Sequence, residues 1–183
     1  MDNYIKYSST RGGDTSLSYE EVLLAGLARD GGLFMPERWP SFSHSDLKNM
    51  KELSYARLAT KILKPFIQPF LDEDDILNIC KATYSPFGNN AAPLKELKKN
   101  NYILELFHGP TLAFKDYAMQ FLSRAFNLAL EKKGKRAVIL GATSGDTGSA
   151  ALEAFKGKAN IDIFILFPHR RVSKVQQKQM TWI

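Results

Sequence analysis

The chain has 183 residues, 44% hydrophobic and 24% charged, with 25 Lys and Arg against 19 Asp and Glu for a net charge of +6. That balance excludes wholesale disorder, and at roughly 150 residues per domain it predicts one domain, or one with an appendage. A lone Cys80 excludes an internal disulfide framework, and with only three scattered histidines, His44, His108 and His169, it argues against a Cys- or His-based metal site.

The first six residues, Met1-Asp2-Asn3-Tyr4-Ile5-Lys6, lack the apolar core of a secretory signal. The longest apolar run, residues 161–168, falls far short of the roughly 20 residues that cross a bilayer. Together with the unpaired cysteine, these features predict a cytoplasmic protein with no membrane partner. To about residue 93 the chain reads as helical. Ser18-Tyr19-Glu20-Glu21 is a capping box. Val22, Leu23, Leu24, Leu27 and Ala28 supply an apolar stripe, which Gly31 and Gly32 are expected to end. Ser54 opens a second helix carrying Tyr55, Leu58, Ala59, Ile62, Leu63 and Phe66, with Pro65 and Pro69 as its breakers. Asp72 and Asp75 open a third with Ile76, Leu77, Ile79 and Cys80. Turn residues Ser85-Pro86-Phe87-Gly88-Asn89-Asn90 mark a boundary.

Beyond the boundary the period changes. Residues 102–107 read as a strand, 108–114 as a loop, and Ala118, Phe121, Leu122, Ala125, Phe126 and Ala129 as a helix ending at Lys132-Lys133-Gly134. Residues 137–140 form a strand, 146–155 a helix stopped by Gly157, 161–167 a strand, and Ser173 caps a last helix. The order β-α-β-α-β-α predicts an α/β fold, a helical N-terminal region (1–93) followed by the start of a parallel sheet with flanking helices (94–183). Basic runs at 95–99, 132–136 and 169–178 are read as solvated helix ends and loops. No aromatic-interleaved basic motif accompanies them, so no nucleic-acid partner is expected.

Two loops carry chemistry, both expected beyond the carboxyl ends of parallel strands, where ligands of open α/β sheets bind. In His108-Gly109-Pro110-Thr111-Leu112-Ala113-Phe114-Lys115-Asp116, the lysine falls at the start of a helix, where the positive dipole end disfavours an ammonium. Packing among Phe114, Leu112 and Tyr117 would add desolvation. A lysine kept partly neutral can attack a carbonyl; the alternative is a side chain that simply reaches solvent. In Gly141-Ala142-Thr143-Ser144-Gly145-Asp146-Thr147-Gly148-Ser149, small residues, first-turn amides and the hydroxyls of Ser144, Thr147 and Ser149 suit a phosphate or carboxylate. The alternative is a tight turn with Asp146 or Ser144 as helix cap. The spacing of Gly141, Gly145 and Gly148 fails the P-loop and dinucleotide patterns, and Ala142 breaks the nucleophile elbow. Asp146-Thr147-Gly148 matches the aspartic-protease triplet, but those are β-rich folds and this triplet opens an Ala-rich helix.

At these loops and near the N-terminus the sequence resembles the threonine synthases, of the tryptophan-synthase-β-like family of pyridoxal-phosphate enzymes. The resemblance rests on Tyr7-Ser8-Ser9-Thr10-Arg11-Gly12, on residues 24–36, 107–120 and 141–151, and on Phe167-Pro168, Val172-Ser173 and Gln179-Met180. It implies a phosphate-eliminating carbon–oxygen lyase that converts O-phospho-L-homoserine and water into L-threonine and phosphate, the last step of threonine biosynthesis. It implies that Lys115 forms the internal aldimine with pyridoxal 5'-phosphate and that Phe114 and Asp146 lie at the cofactor, Asp146 standing where related enzymes often carry Asn beside the 3-hydroxyl. Ser144, Gly145, Asp146, Thr147 and Gly148 would hold an anionic substrate group, carboxylate or phosphate. Family members are considerably longer, so an N-terminal fragment, inactive by itself, is expected; the remainder would carry the groups for the cofactor's phosphate and ring nitrogen. A sister pyridoxal dehydratase and a non-catalytic remnant are the alternatives, and the sequence leaves the oligomeric state open.

Overall fold

The computed structural model describes residues 4–88 and 90–182. Residues 1–3 of the predicted leaderless N-terminus, Asn89 of the predicted turn, and Ile183 lie outside that range. The chain divides into two compact units, residues 1–81 and 82–183.

In the first unit a short antiparallel pair, β1 (Tyr7–Ser9) and β2 (Phe34–Pro36), accompanies helices α1 (Tyr19–Ala25), α2 (His44–Met50), α3 (Tyr55–Ile67) and α4 (Glu73–Tyr84). Ser18 caps α1 as predicted, its hydroxyl accepting from the Glu21 amide while the Glu21 carboxylate accepts from the Ser18 amide. The helix stops at Gly26 (φ +73), five residues before the predicted glycine pair, because residues 28–32 are drawn into a separate turn. In that turn the Asp30 carboxylate accepts from the Ser9 hydroxyl and from the Gly13 and Gly32 amides. The Asp14 carboxylate pairs with Arg29. The Ser9 hydrogen bond first, then the Gly32 amide, hold the Asp30 carboxyl below the usual carboxylate range; the Arg29 side chain does the same for Asp14. Two of the segments that carry the family resemblance, residues 7–12 and 24–36, are thus tied into one knot.

Pro65 does not break α3, which runs through it to Ile67. Helix α2, absent from the sequence reading, starts at its own capping box, Ser43 with Asp46. Ile67, Leu71, Ile76 and Cys80 form the buried core, and burial pushes the Cys80 thiol pKa up. The Tyr7 hydroxyl donates to the Phe66 carbonyl at 2.8 Å, and burial pushes its pKa up to about 12.

In the second unit the antiparallel hairpin β3 (Leu94–Lys98) and β4 (Asn101–Leu104) precedes α5 (Asp116–Lys133), β5 (Ala137–Ala142), α6 (Asp146–Phe155), β6 (Ile161–Leu166) and α7 (Lys174–Thr181). Strands β5 and β6 are parallel and in register, Ala137 opposite Ile161 through Ala142 opposite Leu166. The predicted strand at 102–107 ends at Leu104 and belongs to the hairpin, not to the parallel pair. A local turn decides this: Asn100 adopts the left-handed conformation (φ +62), which Asn tolerates, so the chain folds straight back on residues 94–98. The α/β class with a parallel pair and flanking helices stands.

Helix α6 packs against α5, β6 and α7. Its Ala150, Ala151 and Ala154 are buried, small side chains that permit close approach to the strands. Alternation along β5 and β6 leaves Val138, Leu140, Phe164 and Leu166 exposed on the same sheet face. Helix α5 ends at Gly134 in the left-handed conformation, as predicted, its amide donating to the Leu130 and Glu131 carbonyls.

Candidate active site

Residues 108–115 form a coil whose last residue caps α5. The Leu112 amide donates to the Gly109 carbonyl at 3.1 Å, and the Asp116 amide to the Ala113 carbonyl at 3.0 Å. Leu112 itself takes a positive φ of +60, unusual for a branched side chain. Lys115 is the N-cap residue of α5 with helical backbone angles. Its Nζ lies 3.2 Å from each oxygen of the Asp146 carboxylate and 4.4 Å from the centre of the Phe114 ring.

The amine is therefore ion-paired, but it is not sealed in. The Lys115 side chain is 27% exposed and that of Asp146 47%. The apolar enclosure expected around Lys115 is incomplete, although the Phe114 ring lies beside the amine. Phe114 and Leu112 remain exposed, and Tyr117 turns away to donate to the Ala91 carbonyl and pack against Phe87.

The second loop joins β5 to α6. Its helix cap is Gly145, in extended backbone, rather than Asp146 or Ser144. Asp146 is thus the first residue of α6, beside the amides that have no partner within the helix. Ser144 is exposed and Thr147 half-buried. Ser149 is fully buried, and its hydroxyl donates back to the Asp146 carbonyl at 3.0 Å, so it offers no donor to a ligand. Gly148 is buried too, and its glycine is demanded by packing. A Cβ there would stand 2.5 Å from Thr143 Cγ2 and 2.7 Å from Met180 Sδ.

The structure brings together Lys115, Phe114 and Asp146 across 31 residues of sequence. Ser144, Gly145 and Thr147 stay in the same β5–α6 segment, while Gly148 and Ser149 belong to the packing beneath it. Two residues given no role by the sequence reading emerge in the first loop. The fully buried Asp116 carboxylate accepts from the Thr111 amide at 2.8 Å and the Thr111 hydroxyl at 2.7 Å. Nothing in the residue pattern marks an Asp after a Lys as buried; only the fold does. Among the described residues no group of His, Cys, Asp and Glu could hold a metal ion, and no helix is long and apolar enough to cross a membrane.

A primary amine held beside an aromatic ring, facing a small-residue loop at a helix start, is an arrangement that can meet an aldehyde and an anion, provided the amine gives up its proton. A profile of the threonine synthase N terminus matches residues 6–84. Threonine synthase of Pseudomonas aeruginosa is 50% identical over 180 residues, which is 98% of this chain and 38% of the relative. Over nearly its whole length the chain is similar to the N-terminal part of threonine synthases. Among solved threonine synthases, the pyridoxal-phosphate-bound structure from Brucella melitensis superposes with a TM-score of 0.93 at 49% identity, over 97% of this chain and 38% of that one. The yeast threonine synthase gives 0.90 at 40% identity, over 98% and 38%. The chain thus spans 38% of the length of each of these three proteins.

Proposed function

We propose that this chain supplies the lysine-bearing part of a threonine synthase, in which O-phospho-L-homoserine and water become L-threonine and phosphate. The observation that carries the reading is Lys115 Nζ at 3.2 Å from both oxygens of Asp146, in a chain that matches threonine synthases over almost its whole length. Residues 1–93 would be the N-terminal domain and 94–183 the first part of the cofactor-bearing domain.

The residues present suit pyridoxal 5'-phosphate. Lys115 offers a primary amine, Phe114 an aromatic surface, and Asp146 an acceptor within reach of that amine. When bound, the cofactor supplies an electron sink for negative charge at the substrate's Cα. In the overall reaction the Cγ–O bond to phosphate breaks, the hydroxyl of water joins Cβ, Cβ gives up one hydrogen, and Cγ gains one to become a methyl. The remaining hydrogen of water leaves with phosphate. Lys115, as a free amine, takes and returns protons at Cα and Cβ. Asp146 orients that amine and accepts its hydrogen bonds. A carboxylate does not attract an anion, so within the second loop Asp146 serves the amine. Ser144, Gly145 and Thr147, with the first-turn amides of α6, serve an anionic group of the substrate.

The relatives extend well beyond the part matched here, and in this reading residues 1–183 do not complete turnover by themselves. The test is phosphate release from O-phospho-L-homoserine by the protein containing these residues together with the rest of a threonine synthase. Activity on phosphohomoserine, no ammonia from free threonine, and loss of all measurable phosphate release in Lys115→Ala are expected. A Lys115→Ala protein that still makes threonine defeats the assignment. Turnover by the 183 residues alone would overturn the claim that they are insufficient.

A further inference from the structure

We infer that Asp116 is a positioning residue for Lys115, acting through Thr111 as a clamp on the preceding loop; the inference rests on the reading of Lys115 as the reactive amine. Asp116 is the first residue of α5, directly after the lysine, and its carboxylate is wholly inaccessible to solvent. A buried carboxylate is costly unless its oxygens are satisfied. Here Oδ2 accepts the Thr111 amide at 2.8 Å and Oδ1 the Thr111 hydroxyl at 2.7 Å. The helix start adds its own positive end. The Thr111 carbonyl, in turn, accepts from Gln179 Nε2 of α7 at 3.3 Å. Thr111 is therefore held at three atoms: nitrogen, carbonyl oxygen and hydroxyl.

Two further features show that the loop is shaped around this carboxylate. A Cβ on Gly109 would lie 2.4 Å from Asp116 Oδ2, so residue 109 must be glycine for the carboxylate to sit there. Leu112, next to Thr111, keeps its positive φ although its side chain is 70% exposed and gains no packing from it. Strain of this kind persists where the surroundings over-determine it, and here the clamp on Thr111 does so. Because Lys115 is fixed between this clamp and the first turn of α5, where its carbonyl accepts from the Met119 amide at 2.9 Å, its side chain leaves the backbone aimed at Asp146. Clamp and helix together set the direction of the amine.

The test measures the 183-residue chain by site-resolved acetylation, comparing Lys115 with the exposed Lys99 in wild type, Thr111→Val, Thr111→Ser and Asp116→Asn, each checked for a native far-UV spectrum. In the wild type Lys115 is expected to react several-fold more slowly than Lys99, because its amine is hydrogen-bonded to both Asp146 oxygens and its side chain is only 27% exposed. Thr111→Val and Asp116→Asn should raise the Lys115 rate to that of Lys99, whereas Thr111→Ser, which keeps the hydroxyl, should preserve protection. Unchanged Lys115 rates in folded Thr111→Val and Asp116→Asn overturn the clamp, as does a wild-type Lys115 that reacts as fast as Lys99. Should Thr111→Val and Asp116→Asn not fold, Gln179→Ala removes only the hydrogen bond to the Thr111 carbonyl; a Lys115 rate equal to wild type then overturns the proposal. Treatment of the protein containing these residues together with the rest of a threonine synthase, with pyridoxal 5'-phosphate and borohydride, separates the two claims. Protection that follows the clamp, without selective labelling of Lys115, counts against Lys115 as the condensing amine and leaves the clamp standing.

Discussion

The two units are held together by different means. In residues 1–81 the strands are three residues long, and the loops between them are tied by carboxylates: Asp30 to Ser9, Gly13 and Gly32, Asp14 to Arg29, and Glu37 to Ser8 and Ser16. In residues 82–183 a long helix, a parallel strand pair and an alanine-rich helix pack through Phe121, Ala125, Ala129, Ala150, Ala154 and Phe155. Around the short β1, α1 and β2 of the first unit, charge-assisted hydrogen bonds, roughly twice as strong as neutral ones, compensate for little regular structure; the second unit depends on apolar contact. The loop before α5 is the exception in the second unit, because Asp116 ties it down with the device of the first. A knot of that kind fixes a shape more narrowly than apolar packing does, which suits a loop that must aim one side chain.

The largest effect that would sharpen this contrast is expected from the second unit's core. Phe155→Ala removes a buried ring from α6 and should cost about 3–5 kcal/mol in urea unfolding followed by a probe in that unit. Acid acts on the other unit. Among the described residues the carboxyls held below their usual range, Asp14, Asp30, Glu37, Asp46 and Glu73, all fall in residues 1–81, each through a hydrogen bond from a neighbouring side chain. A depressed carboxyl means that the unfolded chain binds more protons in acid. The stability contributed is therefore present above the ordinary carboxylate range and is lost as pH falls through the folded values. Hydrogen exchange followed from pH 7 downward should show protection falling first in residues 4–81. Simultaneous loss in both units would break the comparison. The smallest effect is expected on the outward sheet face: Leu140→Ser, at a position 70% exposed, should shift stability by no more than about 0.5 kcal/mol. A loss several times larger would mean that this face is covered in solution.

Legibility followed the range of the interaction involved. Serine caps at Ser18, Ser54 and Ser173, the Gly134 stop, and the strand–helix–strand run from Ala137 to Leu166 were all readable, because each depends on residues within a few positions of one another. Three-residue strands carry no usable period, so β1 and β2 were missed. The capping box of α2 was present in the residues, but with Asp46 in the place where Glu or Gln gives the stronger signal. The strand at 102–107 was detected, but its partner was assigned wrongly, since period alone cannot distinguish a hairpin strand from one in a parallel sheet. Within the site, Lys115 and the β5–α6 loop stood out by residue type and by resemblance. The packing duties of Gly148 and Ser149 did not, because a small residue near a ligand and one beneath a helix look the same in a sequence.

By itself the sequence determined where most helices begin, which strands alternate, and which lysine and which loop resemble the cofactor-bearing segments of threonine synthases. Tertiary structure alone decided that Lys115 meets Asp146, that Phe114 and Leu112 stay open to solvent, and that Asp116 is buried against Thr111 and Gly109. The reason is physical. Caps and alternation are set by bonds and sterics a few residues long, whereas a contact spanning 31 residues exists only once α5 and α6 have packed together and brought two helix starts within reach of one side chain.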